Sequence, residues 1–340
     1  MPHPVLDAAE SFKAAARRRE TQVMRQLAET YASTNRELRA EINAIVELIR
    51  VQGRRMTTDE VRRLAALDTL ARRTQEVVTQ YARYADDVML EAMRVEIAIA
   101  MRESEALVLQ YFTPTHRRVA QEIVASWVRL PTQAIETLIG MTNPASPLHT
   151  ALAGRLGQEV ADHMIDRMVQ GIAQGKNPRV IARQVMGEGL TWSMTTVRTA
   201  QLNAYRYATR ENYRLNRDVV SGWKWLATLD NRTCVSCLVM HGTVHGVDEV
   251  LNDHHNGRCS AIPIVPLAAR LGIAEVELPS AEAWIRRKSE KKQQEIMGLG
   301  VWSEWTSGNV QWEQLTTTYD DPIYGTMRRA PTLRQVRAMQ

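Results

Sequence analysis

Hydrophobic residues recur along the first third of the chain at the spacing of a helix. The first such series has gaps of 4, 3 and 4 positions and consists of Leu38, Ile42, Ile45 and Ile49. A second series has the same rhythm and consists of Val77, Tyr81, Tyr84, Val88, Ala92, Val95 and Ile99. Charged residues occupy the other faces, so both stretches are predicted to be amphipathic helices.

Local signals predict where these helices begin and end. Gly53 is expected to end the first helix. Thr57 and Glu60 have the spacing of a capping box, in which each side chain satisfies an amide at the start of a helix. No Gly or Pro interrupts residues 57–112, and one helix over that stretch would reach roughly 80 Å at about 1.5 Å per residue. This length favours an extended arm, with a plain antiparallel bundle as the alternative.

Prolines divide the second half of the chain into shorter segments, and the residue composition then changes from helical to strand-like. Asn177-Pro178 has the residues of a helix start, and Gly187-Glu188-Gly189 predicts the end of that helix. Another helix is expected over residues 194–215. From Val219 onward the composition becomes that of β-strands, and Ile262-Pro263-Ile264 is predicted to be an edge strand because proline lacks the backbone donor.

Together these patterns predict an α+β fold that is mainly α-helical, with long N-terminal helices and a small β-rich Cys/His module of zinc type near the C-terminal third. We divide the chain into four parts. They are a long helical arm at 1–130, a central helical unit at 131–218, the β-rich Cys/His module at 219–278, and a helix with an extended C-terminal tail at 279–340.

Composition and charge narrow the choice of partners only slightly. The 340 residues are 44% hydrophobic and carry a formal net charge of +5. No apolar run approaches the roughly 20 residues that span a bilayer. Several short runs of basic residues suit either phosphate contacts that do not read sequence or a solvated surface. These runs are Arg17-Arg18-Arg19, Arg54-Arg55, Arg62-Arg63, Arg72-Arg73 and Lys291-Lys292.

The three cysteines lie close together and form the most specific chemical motif of the chain. Cys234 and Cys237 make a Cys-x2-Cys pair, which presents two thiolates from one turn at a separation that suits tetrahedral Zn²⁺. His254 and Cys259 follow at a spacing that closes such a site. We therefore predict a structural zinc bound by these four residues. Four protein ligands leave no open coordination position, so the chain is not expected to be an enzyme.

Other interpretations of the cluster remain open. His255 is an alternative nitrogen ligand, and His241 or His245 are also within reach along the chain. A disulfide between two of the cysteines and plain buried thiols are the alternatives without a metal. A Cys/His nucleophile pair and a metal-dependent nuclease site at Asp253-His254 are disfavoured, because the further residues that such sites need are missing. The chain also has no phosphate-binding loop or nucleophile-elbow motif.

A longer pattern surrounds the cysteines. A helix with Arg-Thr and spaced alanines precedes a Trp-containing strand, then Asp-x-Arg-Thr-Cys-x-x-Cys, a Gly-containing turn, and His-x4-Cys before a Pro-containing strand. The pattern resembles the phage head morphogenesis family of Mu F-like minor head proteins over about residues 150–300. The matching residues are Arg198-Thr199, Asn203, Ala204, Ala208, Trp225, Asp230, Arg232, Thr233, Cys234, Cys237, Gly242, His254, Arg258, Cys259 and Pro263. The chain departs from the family pattern in two places. Ala200 stands where the family often has Glu, and His255 and Gly257 stand where it often has Pro and Cys, so that this second departure lowers the ligand count.

The resemblance implies a minor structural protein of a tailed-phage head, associated with the portal inside the capsid, that aids head assembly and DNA packaging or delivery. The implied partners are the portal protein, the major capsid protein, packaged double-stranded DNA and further copies of the same chain, with no membrane in the assembled head. The implied location is the virion, and the host cytoplasm during assembly. The alternatives are a zinc-dependent nucleic-acid-binding protein, which would need basic residues clustered beside the cysteines, and a toxin-like transferase that carries a Mu F-like module.

Overall fold

The structure is a computed structural model, and it describes residues 3–34, 36–51, 56–143, 145–153 and 159–339. These residues are mainly helical with a few short strands, which confirms the predicted α+β class. The predicted helix end at Gly53 and the basic pair Arg54-Arg55 lie outside the described residues.

Within the described residues the helices greatly outnumber the strands. The helices are α1 (Pro4–Thr34), α2 (Arg36–Val51), α3 (Thr58–Arg62), α4 (Ala65–Leu109), α5 (Arg117–Ser126), α6 (Thr132–Leu138), α7 (Pro147–Ala153), α8 (Val160–Ala173), α9 (Pro178–Leu215), α10 (Val235–Met240), α11 (Pro266–Arg270), α12 (Ala281–Arg286), α13 (Glu290–Met297), α14 (Leu299–Thr306) and α15 (Leu333–Arg337). The strands are β1 (Gly222–Leu226), β2 (Val244–Gly246), β3 (Ser260–Ile264), β4 (Thr317–Asp321) and β5 (Gly325–Arg329). Single 3-10 turns occur at Pro114–His116 and Trp312–Gln314.

Contacts between residues divide the chain into two units, each built from segments that are separate in sequence. One unit consists of Met1–Arg17, Arg94–Ile135 and Leu202–Gln340, and the other of Arg18–Met93 and Glu136–Gln201. We call the first the module unit, because it contains the Cys/His residues, and the second the helical unit. The four-part division of the chain remains a prediction.

The helical unit has a core of amphipathic helices. The stripe predicted for α2 is buried at Leu38, Ile42 and Ile49, and it belongs to one apolar cluster with α3, α4, α8 and α9. Gly171 of α8 sits where a Cβ would lie only 2.8 Å from the Ile181 side chain. The absence of a side chain at residue 171 therefore brings α8 and α9 together closely.

The long helix predicted for residues 57–112 is broken near its start. The capping box is confirmed: the Glu60 amide donates to the Thr57 hydroxyl at 3.3 Å, and the Thr57 amide donates to the Glu60 carboxylate at 2.8 Å. However, α3 ends at Arg62, and α4 begins only at Ala65. Val61 is fully buried and Arg62 pairs with Asp166 of α8 at 2.9 Å, so tertiary contacts hold the first turn apart from the rest.

The helix end predicted at Gly187-Glu188-Gly189 was wrong, because α9 continues without a break to Leu215. Gly189 is buried, and a Cβ there would lie 2.5 Å from the Tyr31 hydroxyl oxygen. Tyr31 in turn packs edge-on against Tyr81, with ring centroids 4.7 Å apart. Glycine at this position serves close packing of helices, and the helix tolerates its low propensity because tertiary contacts stabilise it.

A three-stranded antiparallel sheet with the order β2-β1-β3 lies in the module unit. The central strand buries Trp223 and Trp225 in the core. Proline at residue 263 lies on an edge strand, as predicted, and its carbonyl accepts a hydrogen bond from the Tyr111 hydroxyl at 2.7 Å. The sheet thus contributes apolar side chains on which the loops that follow β1 and precede β3 pack.

Residues 279–340 are predicted to hold a helix and an extended tail, and the described residues 279–339 contain several short helices and a β-hairpin. They contain α12 to α15 and a hairpin in which β4 pairs with β5, from Thr317↔Arg329 to Asp321↔Gly325. Gly325 has a φ of 70°, a conformation that glycine adopts without strain. The buried residues of these helices form a second apolar cluster with α10, and this packing accounts for the order.

Two valines of the apolar series on α4 are expected to differ in how much a charged substitution changes the stability. Val88 is 9% exposed and Val95 is 41% exposed. Val88→Asp places a carboxylate in an apolar environment and should lower the free energy of unfolding by about 3 kcal/mol or more. Val95→Asp should change it by only about 0.5 kcal/mol. Urea denaturation followed by circular dichroism measures both, and equal losses would contradict the assignment of Val95 to the surface.

Candidate metal centre

The Cys-x2-Cys segment is held by a short helix with apolar surroundings on both faces. Cys234 is the N-cap of α10, and all six residues of α10 are buried. Val235, Leu238 and Val239 pack in the C-terminal cluster, whereas Cys237 lies in the cluster of the sheet. Because successive residues of a helix point in fixed directions, these two cores determine where the cysteine side chains face.

Three of the predicted ligands meet at one point. The Cys234 sulfur lies 3.1 Å from Nε2 of His254, and the Cys237 sulfur lies 3.2 Å from the same nitrogen. The donor atoms of these three residues all lie within 4.8 Å of one another, so the group can hold a metal ion. Cys259 is buried and forms a second, overlapping group with Cys237 and Asp253. The structure therefore brings three of the four predicted residues together in one group, and it places Cys259 in the overlapping group through Cys237.

The orientation of His254 suits metal binding. Its Nδ1 atom lies 2.7 Å from the backbone carbonyl oxygen of His255. A carbonyl only accepts hydrogen bonds, so Nδ1 carries a hydrogen and, in the neutral ring, the lone pair is on Nε2. Nε2 is the atom that faces the two sulfurs. Metal-binding histidines usually have such a partner on the other ring nitrogen.

The thiol and imidazole groups of this cluster strongly shift each other's pKa values. Hydrogen bonding from Cys237, opposed by burial and helped by His254, lowers the pKa of Cys234 to about 5. Burial lowers the pKa of His254, but hydrogen bonding to Cys234 and the charge of Asp253 outweigh it and raise the pKa to about 10. Metal-free protein is thus expected to contain a thiolate–imidazolium pair, whose proton a metal ion would displace.

Asp253 is a site residue that the sequence analysis considered only as part of a disfavoured nuclease site. Its side chain is 1% exposed, and one carboxylate oxygen lies 3.2 Å from the Cys237 sulfur and accepts from the His254 amide at 2.9 Å. The other oxygen accepts from the Cys259 amide at 3.2 Å. Burial raises the pKa of Asp253, but the charges of Arg206 and His254 outweigh burial, and the pKa of Asp253 lies below its usual value.

Arg206 of α9 is the buried partner of this carboxylate. Its guanidinium is 5% exposed and donates to Asp253 at 2.9 Å. It also donates to the carbonyl oxygens of Gly257 at 2.7 Å and Cys259 at 3.1 Å. Arg206 lies on the face of α9 that also carries the buried residues Thr209 and Tyr213. An arginine at helical spacing from an apolar residue such as Tyr213 is the sequence signal that would have indicated a buried acidic partner.

Gly257 is one of the two departures from the family pattern in this loop, and the structure explains the glycine. A Cβ at residue 257 would lie 2.1 Å from the Asp253 carboxylate oxygen. Any side chain would therefore displace the carboxylate from its contacts with Arg206 and the Cys259 amide.

The alternative histidine ligands point elsewhere in the described structure. His255 pairs with Asp321 of β4 at 3.0 Å, and His245 stacks on Trp223 with ring centroids 4.3 Å apart. His241 accepts from the Ala227 amide at 3.0 Å, and burial lowers its pKa to about 4. All three cysteines are free thiols.

A second ion pair fixes the loop that precedes α10. Arg258 donates to both carboxylate oxygens of Asp230 at 2.6 and 2.7 Å, and Arg17 of α1 reaches the same carboxylate at 3.3 Å. Hydrogen bonding from Arg258 holds the pKa of Asp230 well below its usual range. The Asp-x-Arg-Thr part of the motif therefore connects both halves of the site and the first helix.

Comparison with known proteins identifies a related family for the segment that carries these residues. Residues 162–262 match the family model described as Phage Mu protein F like protein, and this segment includes all four predicted ligands together with Arg206 and Asp253. The resemblance to the phage head morphogenesis family is confirmed for the segment, and the match associates it with phage head morphogenesis in general. No curated protein and no solved structure gives a significant match. Among the described helices, none is both long and apolar enough to cross a membrane.

Replacement of Arg206 by methionine is expected to destabilise the protein severely. The substitution keeps a similar volume but leaves the buried Asp253 carboxylate without its cation, which typically costs about 3–5 kcal/mol. Arg232→Met, at an exposed arginine of the same site, is the matched control and should be nearly neutral. Thermal unfolding measures both variants. Adding Asp253→Asn to the Arg206 variant should restore part of the loss, and equal behaviour of the two arginine variants would refute the role of the pair.

Proposed function

We propose that this protein is a minor structural protein of a tailed-phage head that associates with the portal inside the capsid and aids head assembly and DNA packaging or delivery. The observation that carries the proposal is the match of residues 162–262 to the Mu F-like family. The geometry adds support, because the residues of the shared motif are used for internal cross-links. Asp230 and Arg258 form an ion pair with each other within the chain.

We further propose that the Cys/His cluster binds one structural zinc ion through Cys234, Cys237, His254 and Cys259. Thiolate and imidazole are the donors that zinc prefers in structural sites. The donor atoms lie close together and are largely buried, and His254 presents Nε2 towards the sulfurs. A bound zinc ion would cross-link the start of α10 to the loop that leads into β3.

A structural role, and not catalysis, is the role that we propose for this site. Four protein donors around zinc leave no position for a substrate or an activated water. The neighbouring charged groups also have structural partners: Asp253 contacts Arg206 and two backbone amides. In this proposal the module is a rigid platform, and the helices offer the surfaces for the portal protein, the major capsid protein or further copies of the chain.

The charges favour this role over a nucleic-acid-binding module. Beside the cysteines, Arg258 and Arg17 both contact Asp230. Elsewhere Arg62 pairs with Asp166 and Arg73 with Glu76. These internal pairs leave little clustered positive charge for phosphate groups. We therefore propose that any contact with packaged DNA is weak and does not read its sequence.

The metal proposal predicts about one zinc ion per chain in reduced protein. Cys234→Ser and Cys259→Ser should each weaken zinc binding strongly, because each removes a thiolate ligand. His255→Gln is the matched control at the neighbouring histidine and should retain the metal. Elemental analysis and competition with a chromogenic chelator measure the effect. Absence of zinc from reduced wild-type protein would refute the proposal, and loss of zinc in His255→Gln would refute this ligand set.

The head proposal predicts that this chain is present in purified phage particles at a copy number comparable with the portal ring. Quantitative mass spectrometry of particles, with the portal and major capsid proteins as internal standards, measures it. A low copy number and co-purification with the portal protein are expected. Absence from particles and from assembly intermediates would overturn the proposal, and so would a copy number equal to that of the major capsid protein.

A further inference from the structure

The β-hairpin near the end of the chain contacts the Cys-x2-Cys segment. We define the C-terminal hairpin as residues 316–329, which comprise β4, β5, the turn between them and the residue before β4. The hydroxyl oxygens of Thr316 and Ser236 lie 2.7 Å apart, within hydrogen-bond distance. Ser236 is 1% exposed and lies in α10 between the two cysteines. The C-terminal hairpin is therefore attached to the turn that presents Cys234 and Cys237.

The same hairpin also contacts the other half of the site, which is the ligand loop at residues 247–259. The Arg328 backbone amide donates to the Asn252 backbone carbonyl at 2.8 Å, and the Arg328 guanidinium donates to the Asn252 side-chain oxygen at 3.0 Å. Asp321 is buried, and its carboxylate lies 3.0 Å from Nε2 of His255. The hairpin thus connects α10 to the loop that carries the other two predicted ligands.

The contact at Asp321 is one peptide group away from a predicted ligand. The His255 backbone carbonyl accepts from Nδ1 of His254 at 2.7 Å, and this hydrogen bond orients the imidazole towards the sulfurs. The Asp321 carboxylate is fixed in turn by the amides of Ile323 and Tyr324, which donate to its other oxygen at 2.9 and 3.1 Å. The Tyr324 ring packs edge-on against the His255 ring, with centroids 5.9 Å apart. The hairpin therefore restricts the residue whose carbonyl holds His254.

These contacts are the kind that lowers the cost of binding a metal ion. A mobile loop loses conformational entropy when its side chains become ligands. Neighbouring groups that orient the ligands in advance reduce this loss and so increase the affinity. The C-terminal hairpin contacts both ligand-bearing segments through hydrogen bonds that do not involve a metal, so it can keep the segments together in the metal-free protein.

We propose that the C-terminal hairpin is a positioning element of the metal centre, and that Asp321, Arg328 and Thr316 keep the two ligand-bearing segments together for metal binding. This inference rests on the proposed zinc site and extends it to a part of the chain outside the segment that matches the family. The three residues act through their neighbours in these segments and are therefore positioning residues. Because coupling between two sites is reciprocal, bound zinc should also stabilise the hairpin.

The zinc affinity of full-length variants tests the proposal. The double variant Asp321→Ala with Arg328→Met removes both side-chain contacts with the ligand loop. It should bind zinc about tenfold more weakly, as is common when a group that orients a metal ligand is lost. Asp321→Asn alone keeps an oxygen for the two turn amides and a polar group facing His255, so it should retain most of the affinity. Competition with a chromogenic chelator measures all of these affinities.

A matched control separates contact with the ligand loop from the loss of two charges. Asp320→Ala with Arg329→Met removes the same residue types from the adjacent positions of the same strands. Asp320 accepts from the Thr326 hydroxyl at 2.8 Å, and Arg329 lies over the Tyr319 ring at 5.0 Å. The contacts described for these two residues thus stay within the hairpin. This double variant should bind zinc as tightly as the wild type.

Hydrogen exchange separates positioning from a general loss of folding. In the wild type, zinc should slow exchange at the amides of the C-terminal hairpin, and this response should disappear in Asp321→Ala with Arg328→Met. Equal zinc affinity of the two double variants, or hairpin amides that do not respond to zinc, would overturn the inference while leaving the zinc site intact. Loss of protection throughout the metal-free double variant would overturn it as well, because the residues would then act only on folding. A wild type that binds no zinc would refute the metal proposal itself, and this inference with it.

Discussion

The buried ion pair between Arg206 and Asp253 is the interaction on which the module depends. A carboxylate that is 1% exposed and a guanidinium that is 5% exposed are stable only together. Once paired, they bind the backbone of the loop at four further points: the His254 and Cys259 amides and the Gly257 and Cys259 carbonyls. The shape of the ligand loop is thus determined by an ion pair within the chain, and this ion pair does not require a bound metal.

This arrangement differs from that of an isolated zinc finger, which is unfolded without its metal. Here α10 is packed on both faces by apolar clusters, and the ligand loop is held by Arg206. The donor atoms are therefore already close together in the folded chain. A metal ion would bind to a largely preformed site, so that less of its binding free energy is used to order the chain.

The sequence predicted those parts of the fold that depend on local signals. Periodicity identified the apolar stripe of α2, and the Thr57 capping box marks a real helix start. The Cys-x2-Cys spacing and the following His indicated three side chains that lie together, and Cys259 belongs to an overlapping group through Cys237. Glycine was misleading, because Gly189 is a residue type that often ends a helix, whereas here it allows close packing against Tyr31. Local rules cannot separate these two uses, since the partner is more than 150 residues away in sequence.

Asp253 was not recognised as a structural residue of the site for the same reason. It lies in a stretch whose local pattern indicates an ordinary polar surface, and it is buried because distant segments, among them α9 with Arg206, cover it. No periodicity or motif spacing reports such a contact. A charged residue at helical spacing from an apolar residue, as Arg206 is from Tyr213, is a better guide, because a buried charge requires a partner somewhere in the fold.

The C-terminal hairpin closes over the ligand loop from a position late in the chain. Arg328 of β5 donates to both the backbone and the side-chain carbonyl of Asn252, and Asp321 holds His255. On the ribosome these residues emerge well after His254, whereas α1 emerges before it. The module therefore needs segments that are far apart in sequence to meet, and such long-range closure is slow. Chains synthesised only as far as β3 would expose the cysteine loop, and the finished surface would form only after the hairpin has emerged.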